Sequence, residues 1–207
     1  MEDVLNLYEQ PYDSRYPVIC FDERPCQLIG DTIAPIPMGP RNPKREDYEY
    51  SRNGTCCVFV AFEPHTGRRI IRVKKHRTKD DYAQFMKELI QYYPEAQSLR
   101  LVQDNLNTHT PGSFYKAFSP KEAFDLAMKL ECHYTPKKGS WLNMAEIEIS
   151  ALSKQCLDRR IGNMAKLAKE IAAWEKDRNE TKAKVRWQFN KIKARERLHR
   201  HYICIQN

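Results

Sequence analysis

Residues 55–76, TCCVFVAFEPHTGRRIIRVKKH, constrain the fold more than any other part of the chain. Two runs rich in β-branched and aromatic residues flank Glu63-Pro64-His65-Thr66-Gly67, a segment with the Pro and Gly of a tight reversal. This pattern predicts a β-hairpin. An alternation follows it. Residues 78–94 read as a helix: Thr78 caps it, Asp81 sits three residues on, Tyr82, Phe85, Met86, Leu89, Ile90 and Tyr93 form one apolar stripe, and Pro94 ends it. SLRLVQD (98–104) reads as a strand, and Ser119-Pro120-Lys121-Glu122 opens a second helix with a capping box and Pro in the first turn. ECHYTP (131–136) reads as a short strand, Asn143 starts a helix to about Leu157, and another helix runs from Asn163 to about Asn179. Upstream, YPVICFDE (16–23) reads as a buried strand ending in two acids. The four prolines and the charges of residues 30–54 predict a long irregular connection. A hairpin joined to βα alternation gives a mixed sheet with helices on its faces, an α/β layered domain.

Charge divides the chain. The net +8 over 207 residues arises entirely after residue 150, where 15 Lys and Arg face 6 Asp and Glu. A basic segment beside a neutral domain suits a polyanionic partner, and equally a solvated helical surface. Arg186, Lys191, Lys193, Arg195, Arg197 and Arg200 are the tail's candidates for tracking a nucleic-acid backbone, while Val185, Phe189, Ile192 and Leu198 predict that part of the same segment docks on the domain. The seven cysteines include no C-x-x-C pair and read as reduced, mostly buried thiols. The first ten residues are acidic and lack the basic and apolar regions of a signal peptide, and no apolar run is long enough to span a membrane.

Three acids carry the chemistry. Asp22 ends the first strand, Asp104 ends the fourth, and Glu146 lies in the first turn of the helix that begins at Asn143. Sites in α/β sheets form at strand ends. If the first and fourth strands are neighbours, the two aspartates sit side by side and the helix adds Glu146. Three oxygen ligands with open positions suit Mg²⁺ or Mn²⁺. Each acid also has a plainer reading: Asp22 as a strand-end turn residue, Asp104-Asn105 as an Asx-turn, Glu146 as half of a capping box with Asn143. Glu148 competes with Glu146, because two residues apart on a helix they point about 200° apart and cannot both face one site. His109 is a candidate to steer a water or phosphate, or a structural hydrogen-bond partner. Lys137 and Lys138 precede the Glu146 helix and are candidates for a DNA phosphate, or a solvated basic turn. Trp141 reads as a packing anchor.

The segments VICFDERPCQLI, DYEYSRNGT, QDNLNTHT, HYTPKKGSWLNMAEIEISALSKQCLDRR and VRWQFNKIKARERLHRHY carry a resemblance. From about residue 8 to residue 202 the chain resembles the catalytic domain of DDE transposases, in the mariner-related branch of bacterial insertion-sequence transposases. The Asp-Asn-x-x-x-His motif is Asp104, Asn105 and His109; the Leu-Asn-x-x-Glu motif is Leu142, Asn143 and Glu146. The resemblance implies an RNase H-like mixed sheet flanked by helices, with a basic helical C-terminal segment. It divides the chain into a lead-in (1–14), a catalytic domain (15–160) and a C-terminal helix with basic tail (161–207). It implies DNA strand cleavage and strand transfer by two Mg²⁺ ions, with Mn²⁺ as substitute. Asp22 would be shared by both ions, Asp104 and Glu146 would complete the sites, and Asn105, His109 and Asn143 would assist. It selects Glu146 over Glu148. Its implied partners are transposon-end and target DNA, a second copy of the chain and a separately encoded helix-turn-helix subunit, in a bacterial cytoplasm. Two features depart from the pattern: Met144 stands where many relatives carry Pro, and 42 positions separate Asp104 from Glu146. Only about twenty residues precede Asp22, too few for end-reading helix-turn-helix domains, so a catalytic-domain fragment is expected. The alternative is an inactive, DNA-binding remnant.

Overall fold

The computed structural model describes residues 1–199. Its order is α1 (Glu2–Glu9), β1 (Val18–Asp31), β2 (Tyr50–Glu63), β3 (Arg68–Lys74), α2 (Lys79–Gln91), β4 (Leu99–Gln103), α3 (Gly112–Ala117), α4 (Pro120–Met128), β5 (Leu130–Tyr134), α5 (Ala145–Gln155), α6 (Met164–Glu180) and α7 (Lys191–Arg197). The five strands form one mixed sheet in the order β3-β2-β1-β4-β5. The three N-terminal strands are antiparallel, and β4 and β5 add in parallel. The first and fourth strands are therefore neighbours.

The period-two alternation of each strand sorts its side chains between two cores. Ile19 and Phe21 of β1, with Cys57, Phe59 and Ala61 of β2, face α2, α3 and α4. Phe21 is fully buried and meets Phe59, Tyr82 and Phe85 at 5.4–5.8 Å between ring centroids. The opposite face holds two clusters. Val18, Cys20 and Val102 pack with Val4 and Leu5 of α1, Leu142, Met144 and Ala194. Val58, Val60 and Ile71 pack with Leu152 of α5 and Leu167 and Ile171 of α6. The result is three layers, helices on both sides of the sheet.

Local signals set several ends as expected. Thr78 and Asp81 complete a capping box on α2, the Ser119 side chain accepts from Glu122 N at α4, and Asn163 caps α6. Elsewhere the structure differs. β1 runs to Asp31 and β2 begins at Tyr50, so only residues 32–49 are irregular. Cross-strand pairing down to Asp31↔Tyr50 holds this extension, against the weak strand preference of its residues. Pro25 is tolerated within it because β4 leaves β1 after Cys20, and from there β1 has a neighbour on one side only. Residues 1–14, expected to be a lead-in, contain α1, whose Val4, Leu5 and Leu7 are buried. In the tail, residues 183–190 are extended and the helix occupies only Lys191–Arg197; its buried residue is Ala194, while Ile192, expected to dock, is 66% exposed.

Candidate active site

β4 leaves the sheet at the level where Asp22 begins. The parallel pairing of β1 with β4 ends at Cys20↔Val102, and Asp22 and Asp104 each stand two residues further on. The two carboxylates thus emerge from adjacent strands at the same height. The third acid arrives through Asn143. This side chain is buried; its Nδ2 donates to Phe21 O (2.7 Å) and its Oδ1 accepts from Ala145 N (3.1 Å). One amide therefore bolts the first turn of α5 to the residue beside Asp22. Glu146, in that turn, is exposed. Its role as the partner of Asn143 in a side-chain capping box is not realised, because Asn143 Oδ1 accepts from Ala145 N and Asn143 N donates to Ser140 O.

The carboxylates feel one another. Burial raises the Asp22 pKa most, and the charges of Asp104, Glu146 and Glu23 add to it against the hydrogen bond it accepts from Glu23 N, leaving it at about 6. Among the described residues no three His, Cys, Asp or Glu groups converge into a ready-made metal cage. The donor chemistry nonetheless fits a hard divalent cation: the charges of Asp104 and Glu146 oppose ionisation of Asp22, Asp104 borders an open cleft, and Mg²⁺ keeps several waters and takes phosphate oxygens as its remaining ligands.

His109 supports the aspartate from the other side of the sheet. Its ring is buried, stacks on Tyr82 (4.8 Å) and meets the edge of Phe21 (5.3 Å). Nδ1 lies 2.6 Å from Asp104 Oδ1, and Nε2 lies 3.1 Å from Glu23 Oε1. Burial alone would lower its pKa, but hydrogen bonds to Asp104 and Glu23 hold it up at about 9. Glu23 is the residue that sequence reasoning passed over. Its signal was present, an acid directly after Asp22, but the next residue on a strand points to the opposite face. There its side chain is 2% exposed and anchors His109.

Glu148 has a separate place. It is buried and paired with Arg69 Nε and Arg178 Nη2, each at 2.9 Å. Lys137 and Lys138 are exposed and line a cleft of about 680 Å³ together with Asp104 and Asn105. The tail cations divide. Lys191 binds Asn6 (2.7 Å) and Glu9 (3.4 Å), and Arg195 grips Glu2 at 2.7 and 2.8 Å, so both fasten α7 to α1. Lys193 Nζ donates to Gln188 O, while Arg186 and Arg197 are exposed. Arg200 lies outside the described residues. Trp141 is 44% exposed and touches Phe189 at 5.3 Å. Among the described residues no helix is long and apolar enough to cross a membrane.

Residues 17–168 match the family described as DDE superfamily endonuclease. A search of curated protein sequences found no match. Solved structures do match. The Mos1 mariner paired end complex with Mn is 15% identical with a TM-score of 0.58, over 87% of this chain and 54% of that one. The paired end complex with Mg is 16% identical with a TM-score of 0.57, over 86% and 53%. The Mos1 strand transfer complex is 12% identical with a TM-score of 0.57, over 84% and 51%. At these identities the likeness is one of fold, the RNase H-like mixed sheet flanked by helices. The chain spans about half the length of the transposase chains it matches. With most of its length, from β1 into α6, covered by the family match, the chain belongs to the DDE superfamily of endonucleases.

Proposed function

We propose that this chain cleaves DNA and transfers the cut strand by metal-dependent phosphoryl transfer, as the catalytic part of a transposase of the bacterial insertion-sequence kind. The observation that carries the reading is the geometry: Asp22 and Asp104 each stand two residues past the last β1–β4 pair, and Asn143 ties the turn bearing Glu146 to Phe21. These three side chains would hold the Mg²⁺ or Mn²⁺ ions, two in number. Such ions, when bound, neutralise the charge of the scissile phosphate and make water or a 3′-hydroxyl a competent nucleophile near neutral pH. The rest falls to the protein. His109 Nδ1 hydrogen-bonds the Asp104 carbonyl and lies 2.6 Å from its carboxylate, and the ring is itself held by Glu23 and the Tyr82 ring. Asn143 holds Glu146 at the level of Asp22. Lys137, Lys138 and Asn105 border the cleft beside Asp104 and would bind the DNA backbone, orienting the phosphate without reading sequence. End recognition would come from helix-turn-helix segments elsewhere, in a separate subunit, and the active form would be a homodimer on paired DNA ends in the bacterial cytoplasm. In this scheme residues 15–160 form the catalytic unit and 161–207 the basic C-terminal one.

Nicking of supercoiled plasmid at low salt with Mn²⁺ tests the reading. Nicking by the parent chain, absent in Asp104→Asn and in Glu146→Gln, is the expected result. Nicking that persists in both variants would dismiss the triad. DNA binding with no nicking under any metal would instead make the chain an inactive, DNA-binding remnant.

A further inference from the structure

The segment between α6 and α7 alternates with period two. Lys182, Lys184 and Arg186 are exposed, while Ala183, Val185, Trp187 and Phe189 are half-buried. Residues 183–190 form neither helix nor ladder, so this is an extended strap laid across the molecule. Its inner side chains Val185, Trp187 and Phe189 pack on the cluster beneath α1, with Trp187 edge-on to Tyr8 at 5.6 Å and Phe189 against Trp141 at 5.3 Å. Its start is pinned. The buried Arg69 guanidinium donates to Ala183 O (2.6 Å) and Arg178 O (2.7 Å). Gly67, at φ +76°, approaches so closely that a Cβ there would stand 2.8 Å from Lys182 O.

An extended chain places every second residue about 6.5–6.8 Å apart, which spaces Lys184 and Arg186, while Lys182 stands at the turn before them with φ +47°. That spacing is comparable to the separation of successive phosphates along one nucleic-acid strand. No ion pair among the described residues occupies Lys182, Lys184 or Arg186, in contrast to Lys191 and Arg195 of α7. A groove of about 540 Å³ follows the strap, lined by these three cations with His65, Trp187 and Met144. Two buried polar atoms in its wall, Trp187 Nε1 and His65 Nδ1, have no hydrogen-bond partner. A buried donor without an acceptor is costly, and a phosphate oxygen is an acceptor. The groove reaches Met144, two residues before Glu146.

We propose that Lys182, Lys184 and Arg186 form a track that binds the phosphodiester backbone of one DNA strand and leads it towards Glu146, with Trp187 Nε1 donating to a phosphate oxygen. This rests on the DNA chemistry proposed above and assigns backbone binding to the strap, whereas the basic helix α7 acts chiefly as its anchor. The test is the salt dependence of duplex DNA binding, measured without metal on the full chain carrying Asp104→Asn. Adding Lys182→Gln, Lys184→Gln and Arg186→Gln removes up to three phosphate contacts and flattens the log–log salt slope by about 2–3, at about 0.9 per contact. The charge-matched set Lys166→Gln, Lys169→Gln and Lys176→Gln, on exposed positions of α6, leaves the slope unchanged. Trp187→Phe weakens binding with little change in slope. Thermal melting of each variant checks that the fold is retained. An equal loss of slope in both sets would reduce the effect to net charge and overturn the track, as would an unchanged slope in the strap set. Absence of all DNA binding would also overturn it, while the catalytic reading would still be decided by the nicking assay.

Discussion

Asp22 and Glu23 adjoin in sequence and face opposite sides of one strand, and this divides their work. Asp22 lies within reach of the charges of Asp104 and Glu146, which oppose its ionisation. Asp22→Asn should therefore raise the melting temperature of the metal-free protein. Added Mg²⁺ should raise that of the parent chain and not that of the variant, because a cation relieves a repulsion the variant lacks. Glu23 instead holds His109, and through it the Asp104 carboxylate. Residues that orient a ligand typically affect metal affinity by about 10–100-fold. Glu23→Gln, which keeps the shape of the side chain, should shift the Mn²⁺ midpoint of nicking upward within that range. A midpoint equal to the parent's would restrict Glu23 to packing.

At the scale of elements, α5 is set in place at its first turn. Asn143 ties the chain before it to β1, and Glu148 ties that turn to Arg69 of β3 and Arg178 of α6. Asn143→Ala leaves the buried Phe21 carbonyl without its donor and should cost about 1–3 kcal/mol in urea unfolding. Its loss of nicking should exceed that destabilisation, since Glu146 loses its register as well. Glu148→Gln leaves Arg69 buried without its counter-charge; breaking such a pair costs about 3–5 kcal/mol. A loss of stability below about 1 kcal/mol would show the pair to be solvated. By helical spacing alone Glu146 and Glu148 were rivals, and the family resemblance selected Glu146. Which one lies against Arg69 is decided by how α5 sits across the sheet.

At the scale of the whole molecule, the two termini close one core. α1 and α7 cover Val18, Cys20, Val102 and Met144 from outside and are cross-linked by Lys191–Glu9 and Arg195–Glu2. Deleting residues 1–9 should expose that apolar surface. The expected readout is a lower melting temperature with new binding of a hydrophobic dye. A truncated chain that melts like the parent would show that α1 merely rests on the surface. Eight residues with three apolar positions are too few to hold a helix in water without tertiary contacts, which is why α1 left so faint a signal.

Local chemistry determined much of this protein from its sequence. The hairpin at Glu63–Gly67, the capped starts of α2, α4 and α6, and the strand ending at Asp104 all follow from side chains acting on their own backbone. The motif spacing of Asp104 with His109 and of Asn143 with Glu146 carried the family resemblance. The tertiary structure decided what depends on distant partners. β1 and β2 extend because each supplies the other's hydrogen bonds. Glu148 is a counter-ion because Arg69 is buried beneath it, and Lys191 and Arg195 of α7 are spent on acids more than 180 residues away in α1. A sequence displays which groups can pair; only the packed chain, in which each charge must find a partner or water, settles which of them do.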